Sequence, residues 1–161
     1  MIYLASPLFN DMERTFNERL SAELERVTEV FLPQRDGALL AELMKRGVLQ
    51  EVAERLVYER DTEAMAASDF IVAVLDGGHI DEGVAFEIGY MTALGRRCIG
   101  LQTDVRRALP TGNNPMISRS LEHVFSDTHS LVEWISGQMG LMVKQNPKNW
   151  SEDSTHDDGI L

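Results

Sequence analysis

A chain with one cysteine cannot close a disulfide on itself, so a reducing compartment suits it. That residue, Cys98, sits in the apolar run Cys98-Ile99-Gly100-Leu101 and reads as a small core side chain rather than a reactive thiol. Basic residues are also scarce, 15 Lys and Arg against 26 Asp and Glu, for a net charge of -11. Phosphate backbones and anionic membrane surfaces need compensating cations, so neither nucleic acid nor membrane is expected as a partner. A small neutral substrate fits better. No apolar run is long enough to span a bilayer, and residues 1–5 carry no basic leader; the cytoplasm is the default expectation. Metal-ligand spacing is missing too. His79, His123, His129 and His156 follow no ligand pattern, and neither HExxH nor CxxC occurs. Gly77-Gly78 lacks the Gly-Lys-Ser/Thr of a phosphate loop, and no serine nucleophile elbow is present. Carboxylates remain as the catalytic candidates. Carboxylates alone suit glycosidic cleavage, in which one acid attacks or stabilises the anomeric carbon and another protonates the leaving group.

The 161 residues, 43% of them apolar, fit one domain with a single core. Residues 1–5 read as a buried strand broken by Ser6-Pro7. Met12, Phe16, Leu20, Leu24 and Val27 recur at steps of three and four, one face of a helix. Residues 30–32 form a second strand that Pro33 stops, and 34–37 a turn. Residues 38–67 are helical, broken at Gly47. Residues 69–75 are the clearest strand, since Phe70-Ile71-Val72-Ala73-Val74-Leu75 is a continuous apolar run, as in a parallel strand buried on both faces. Residues 82–94 predict a helix capped by Gly95, 98–101 a strand, 102–119 a long polar loop, 123–125 a last strand and 131–139 a last helix. Strands alternating with helices make an α/β, doubly wound, flavodoxin- or Rossmann-like domain with a parallel sheet of about five strands. It is placed at residues 1–140, with 141–161 a polar, acidic tail. Ligands of such sheets sit beyond the carboxyl ends of the strands, so residues 7–10, 34–37, 76–81 and 102–119 are expected on one rim.

Two acids break the apolar pattern. Glu87 follows Val84 by three and precedes Met91 by four, in a helix apolar nearly all round and therefore expected to be buried. Asp61 lies four after Val57 and four before Met65. A buried carboxylate needs a partner or a shifted pKa. Either acid alone could be structural; two together point to a site. Asp81 reads as a helix N-cap, and Asp69 and Asp76 as capping or turn residues. Gly83 and Gly89 flank Glu87, each costing about 1 kcal/mol against Ala in a helix. Close approach of a ligand or close helix packing would explain them equally well.

The order Ile2-Tyr3-Leu4-Ala5-Ser6-Pro7-Leu8-Phe9, then Pro33-Gln34-Arg35-Asp36-Gly37, then Asp61, then Asp81-Glu82-Gly83-Val84-Ala85-Phe86-Glu87-Ile88-Gly89-Tyr90 and Asn114-Pro115-Met116-Ile117 resembles the nucleoside 2-deoxyribosyltransferase family over residues 1–125. The resemblance implies transfer of a 2-deoxyribosyl group between nucleobases by double displacement, with no cofactor and no metal. It implies Glu87 as nucleophile, Tyr3 orienting it, and Asp61 as the acid facing the base. Asp81 and Asn114 would hold the 5′-hydroxyl, Asn114 from a neighbouring subunit. Phe9, Gln34 and Met116 would lie at the base pocket, and Gly83 beside the substrate. A homo-oligomer built on dimers, with 2′-deoxynucleosides and free nucleobases as partners, is implied as well. One departure is visible: some members end in an aromatic residue that reaches the site, whereas this chain ends Asp157-Asp158-Gly159-Ile160-Leu161. Two other readings remain open. A 2′-deoxynucleoside 5′-monophosphate N-hydrolase would share the scaffold and both acids, but with small hydroxyl residues in place of Asp81 and Asn114. A non-catalytic nucleoside-binding module would have lost one of the acids.

Overall fold

The computed structural model describes residues 1–145. Five parallel strands, β1 (Ile2–Ala5), β2 (Val30–Phe31), β3 (Phe70–Val74), β4 (Arg97–Leu101) and β5 (His123–Phe125), form one sheet in the order β2-β1-β3-β4-β5. This is a flavodoxin-type order. The chain steps outward from β1 to β2 and then returns to the other side of β1, so the switch point lies between β1 and β3. Ile2 pairs with Val30 on one side and with Phe70 on the other.

Strand alternation divides the core into two layers. Ile2, Leu4, Phe70, Val72 and Ile99 point to one face and pack on Leu20 and Leu24 of α1 (Asp11–Glu25) and on Leu131 and Ile135 of α7 (Thr128–Gln145). Tyr3, Ala5, Ile71, Ala73 and Cys98 point to the other. There they meet Ala64 and Met65 of α4 (Gln50–Ala67) and Val84, Ile88 and Met91 of α5 (Glu82–Ala93). Both predicted acids therefore belong to the helices of the second face. Cys98 is buried, and no helix among the described residues is long and apolar enough to cross a membrane.

Several elements differ from the sequence reading. Pro33 does not merely stop β2; it is the first residue of a short helix, α2 (Pro33–Asp36), where a missing N–H costs nothing. Residues 38–67 do break at Gly47, whose φ is +84°, giving α3 (Leu40–Lys45) and α4. The loop 102–119 contains α6 (Pro115–Ser120), again opened by proline, with Asn114 as its N-cap. The last helix is longer than 131–139 because Asp127 accepts hydrogen bonds from the N–H and hydroxyl of Ser130 at its start. It also continues to Gln145, into the segment read as tail, while residues 146–161 of that segment lie outside the described residues. Finally, α5 is not buried all round. Val84, Ile88 and Met91 form one buried stripe, whereas Phe86 and Leu94 stay exposed on this chain.

Candidate active site

The rim forms as the topology requires. Asn17 of α1, fully buried, donates to the Pro7 carbonyl and to Gln34 Oε1, both at 2.9 Å, and accepts from the Ser6 hydroxyl at 2.6 Å. The loops after β3 and β4 are joined by Asp76, which accepts from Thr103 Oγ1 and from the Asp104 N–H, and by Asp104, which accepts from the Gly77 N–H. Asp76 thus ties two loops together. Asp69 instead pairs with the amino terminus at 2.6 Å.

Tyr3 and Glu87 meet across this frame. β1 carries Tyr3 on the face that α5 covers, and the ring stacks on Phe31 of β2 with centroids 5.6 Å apart. The phenol donates to Glu87 Oε1 at 2.6 Å. Burial, and then the charges of Glu87 and Asp61, push the Tyr3 pKa far above its ordinary value, so the hydroxyl is a permanent donor. Burial likewise pushes the Glu87 carboxyl up to about 8; the Tyr3 bond opposes this, and Asp61 and Asp81 add to it. Burial raises Asp61 to about 6 against the pull of Arg60. Oδ1 of Asp61 is buried without a hydrogen-bond partner.

Asp61, Glu87 and Gly83 border one cavity of about 270 Å³. Its apolar walls come from Val57, Tyr58 and Met65 on α4 and from Phe86 on α5. The rings of Tyr58 and Phe86 lie 6.3 Å apart, and Phe86 stacks on Tyr90 at 6.0 Å. The sequence reading does not single out these aromatics. A signal is present in their spacing, since Tyr58 precedes Asp61 by three and Phe86 adjoins Glu87. A larger hollow of about 720 Å³ lies along the β2 edge, where Arg35 pairs with Glu25 and Asp36; none of the sequence-predicted site residues borders it.

Asp81 caps α5, its Oδ1 accepting the Gly83 N–H at 2.9 Å and the Val84 N–H at 3.1 Å. A Cβ on Gly83 would fall 3.0 Å from that oxygen, while one on Gly89 would meet nothing. Close packing within the chain therefore does not explain Gly89. Asn114 Oδ1 caps α6 through the Met116 N–H. Phe9, Gln34, Asn114 and Met116 do not border the cavity of their own chain. Gln34 is held by Asn17 and the Arg14 carbonyl, and Phe9 and Met116 are 74% and 77% exposed. Among the described residues no group of three or more His, Cys, Asp and Glu is placed to hold a metal ion.

Two half-buried acids, one of them bonded to a buried phenol, border a cavity beside the β1/β3 switch point of this α/β fold. The comparisons make the class specific. The model of the family described as nucleoside 2-deoxyribosyltransferase matches residues 2–150, and the chain belongs to that family. Among solved structures it is similar to a conserved protein from Enterococcus faecalis V583, at 27% identity and TM-score 0.69 over 85% of this chain and 97% of that one. A 2-deoxyribosyltransferase from the psychrotolerant bacterium Bacillus psychrosaccharolyticus shares the fold at 24% identity and TM-score 0.70, over 86% and 94% of the two chains. So does a 2-desoxiribosyltransferase from Leishmania mexicana, at 19% identity and TM-score 0.58 over 84% and 96%. No curated protein matches the chain.

Proposed function

We propose that the protein moves a 2-deoxyribosyl group from one nucleobase to another through a covalent glycosyl-Glu87 intermediate, with cytoplasmic deoxyribonucleoside salvage as its setting. The observation that carries this is the Tyr3–Glu87 bond. Tyr3 occupies Oε1 at 2.6 Å and leaves Oε2 to attack C1′ beside a cavity that Asp61 also borders. In the first step Oε2 bonds to C1′, the C1′–N bond breaks, and Asp61 gives its proton to the departing base. In the second, Asp61 takes a proton from the incoming base, whose nitrogen displaces Glu87. Two inversions give net retention. Lacking a 2′-hydroxyl, the sugar forms its oxocarbenium-like transition state more readily. Water in place of the second base gives slower hydrolysis, which the apolar walls restrain. Incubation with deoxyinosine and a free pyrimidine base tests the reading: a new pyrimidine deoxynucleoside is the expected product, and release of hypoxanthine and free deoxyribose alone would count against transfer.

The sugar end separates this reading from monophosphate hydrolysis. Both capping bonds of Asp81 use Oδ1, so Oδ2 is left to accept a 5′-hydroxyl. A 5′-phosphate there would set like charges together, at about 1 kcal/mol per pair in water and about 4 near a protein surface. Two of the three arginines in the neighbouring loop, Arg106 and Arg107, are already engaged. Arg106 pairs with Asp104, and Arg107 donates to the backbone carbonyls of Asp104 and Arg106. Deoxyadenosine is therefore expected to exceed its monophosphate in kcat/KM by roughly tenfold or more, and Asp81→Ser is expected to narrow the gap. A native enzyme that prefers the monophosphate and only hydrolyses it would be the N-hydrolase instead.

The same reading makes the protein a homo-oligomer built on dimers, with Asn114, and Met116 beside it, completing a neighbour's site. Its support is the position of these residues away from their own cavity, together with the half-exposed Tyr58 and Phe86 at that cavity's edge. Sedimentation velocity at assay concentration is expected to show a dimer or larger species; a fully active monomer would refute shared sites.

A further inference from the structure

The segment Pro33-Gln34-Arg35-Asp36-Gly37 lies against the acid. A Cβ built on Gly37 would fall 2.5 Å from the Pro33 carbonyl oxygen and 3.1 Å from Asp61 Oδ1. The first contact is with backbone and no rotamer relieves it, so only glycine fits while α2 keeps its place. The turn is held firmly. The Gly37 N–H donates to the Pro33 carbonyl at 3.0 Å, and the Leu32 N–H to Asp36 Oδ2 at 2.9 Å. Arg60, next to Asp61 in α4, donates from Nε and Nη2 to the Asp36 carbonyl, each at 3.4 Å. The Asp61 oxygen beneath this turn is buried and receives no hydrogen bond.

We propose that Gly37 is a positioning residue for the acid: it lets the α2 turn close over Oδ1 of Asp61 at bare-backbone distance, keeping water and donors off that oxygen. This rests on the reading of Asp61 as the acid. A carboxylate is stabilised by the donors it receives, so an oxygen that receives none favours the protonated form. Oδ2 is then the oxygen that delivers the proton to a base in the cavity. The charged and titratable groups around Asp61 agree. Glu54 on its own helix and Glu87 on α5 border the same cavity, and Tyr3 on β1 stays protonated. The Asp36 carboxylate is committed to Arg35 and the Leu32 N–H. Arg60 is the cation that pulls the other way, and Asp61 stays above its ordinary value despite it.

The test is titration of the Asp61 carboxyl carbon by NMR in the native protein, Gly37→Ala and Asp36→Ala. The methyl group that Gly37→Ala adds must displace the Pro33 carbonyl; Asp36→Ala loosens the same turn without added bulk. Rehydration of Oδ1 is expected to lower the Asp61 midpoint by about one unit in either variant. It should slow transfer from a poorly leaving base by roughly tenfold, while a deoxyriboside with a good leaving group loses little. In an Asp61→Asn background, Gly37→Ala should have no further effect on turnover. An unmoved midpoint in a folded variant would overturn the proposal, as would an equal loss with and without Asp61. Should Gly37→Ala fail to fold, Asp36→Ala decides. Because the titration needs no turnover, it separates failure of this inference from failure of the transferase reading.

Discussion

Glu87→Gln is expected to cut deoxyribosyl transfer by roughly 10⁴-fold or more, the scale seen when a covalent nucleophile is removed. The amide keeps the shape and can still accept from Tyr3, so the loss reports the missing nucleophile rather than a disturbed cavity. Intact-mass measurement after mixing with a 2′-deoxynucleoside should show one deoxyribosyl adduct on the native chain and none on the variant. Transfer within about tenfold of native by Glu87→Gln would end the double-displacement scheme.

The same variant carries an opposite expectation for stability. Burial raises the Glu87 carboxyl to about 8 in the folded protein, against about 4.3 in an unfolded chain. A folded value above the unfolded one means that the folded state binds the proton more tightly. Its contribution is full below pH ~4.3 and is lost as pH rises through about 8. Glutamine has no ionisation to lose. Glu87→Gln should therefore match the native protein near pH 4 and exceed it above pH 8, by on the order of 2–4 kcal/mol. Denaturant unfolding at the two pH values measures this. On the proposed mechanism Glu87 is an acid kept in an apolar wall where the fold would prefer none, and its removal should exchange activity for stability. Equal stability of the two proteins above pH 8 would mean that Glu87 is better solvated than the geometry indicates.

What is legible in the sequence follows from how local the cause is. The strand at residues 70–74 declares itself because both of its faces are buried, so no alternation confuses the pattern. Glu87 and Asp61 stand out for a related reason: a carboxylate on an apolar stripe is anomalous at the scale of one helix turn. The Tyr3–Glu87 bond spans 84 positions, and no local pattern encodes it; the family resemblance points there, and the topology explains it by setting β1 beside β3. The two short helices look like turn and loop in the sequence because proline ends more elements than it begins, although Asn114-Pro115 has the form of a cap followed by an N1 proline. Gly37 reads in the sequence as a turn residue within the run that carries the resemblance, but nothing local ties it to Asp61, whose carboxylate reaches it only through tertiary contact. The exposed flank of α5 is hidden for another reason: apolar composition does not say whether the same chain covers it.

Asp61→Asn is expected to separate substrates by their leaving groups. Deoxynucleosides whose base departs only when protonated should lose roughly 10²–10⁴-fold, the range for a general acid. An activated aryl 2-deoxyriboside, whose leaving group is stable as an anion, should lose less than about threefold. The pH profile gives an independent reading. With Asp61 at about 6 and Glu87 at about 8, the pair holds one proton and one charge between those values, which is the state with one acid and one nucleophile. The positive charge developing at C1′ favours placing that charge on Glu87 and the proton on Asp61. Below pH ~6 both are protonated and nothing attacks; above pH ~8 both are ionised and nothing protonates the base. Native kcat/KM on a natural deoxynucleoside should therefore be bell-shaped with its maximum near pH ~7. In Asp61→Asn the alkaline limb should vanish, because the residual rate depends only on ionised Glu87 and climbs to a plateau. An alkaline limb that survives unchanged, or equal losses for the nucleoside and the aryl deoxyriboside, would assign the proton to another group and leave Asp61 as a wall of the cavity.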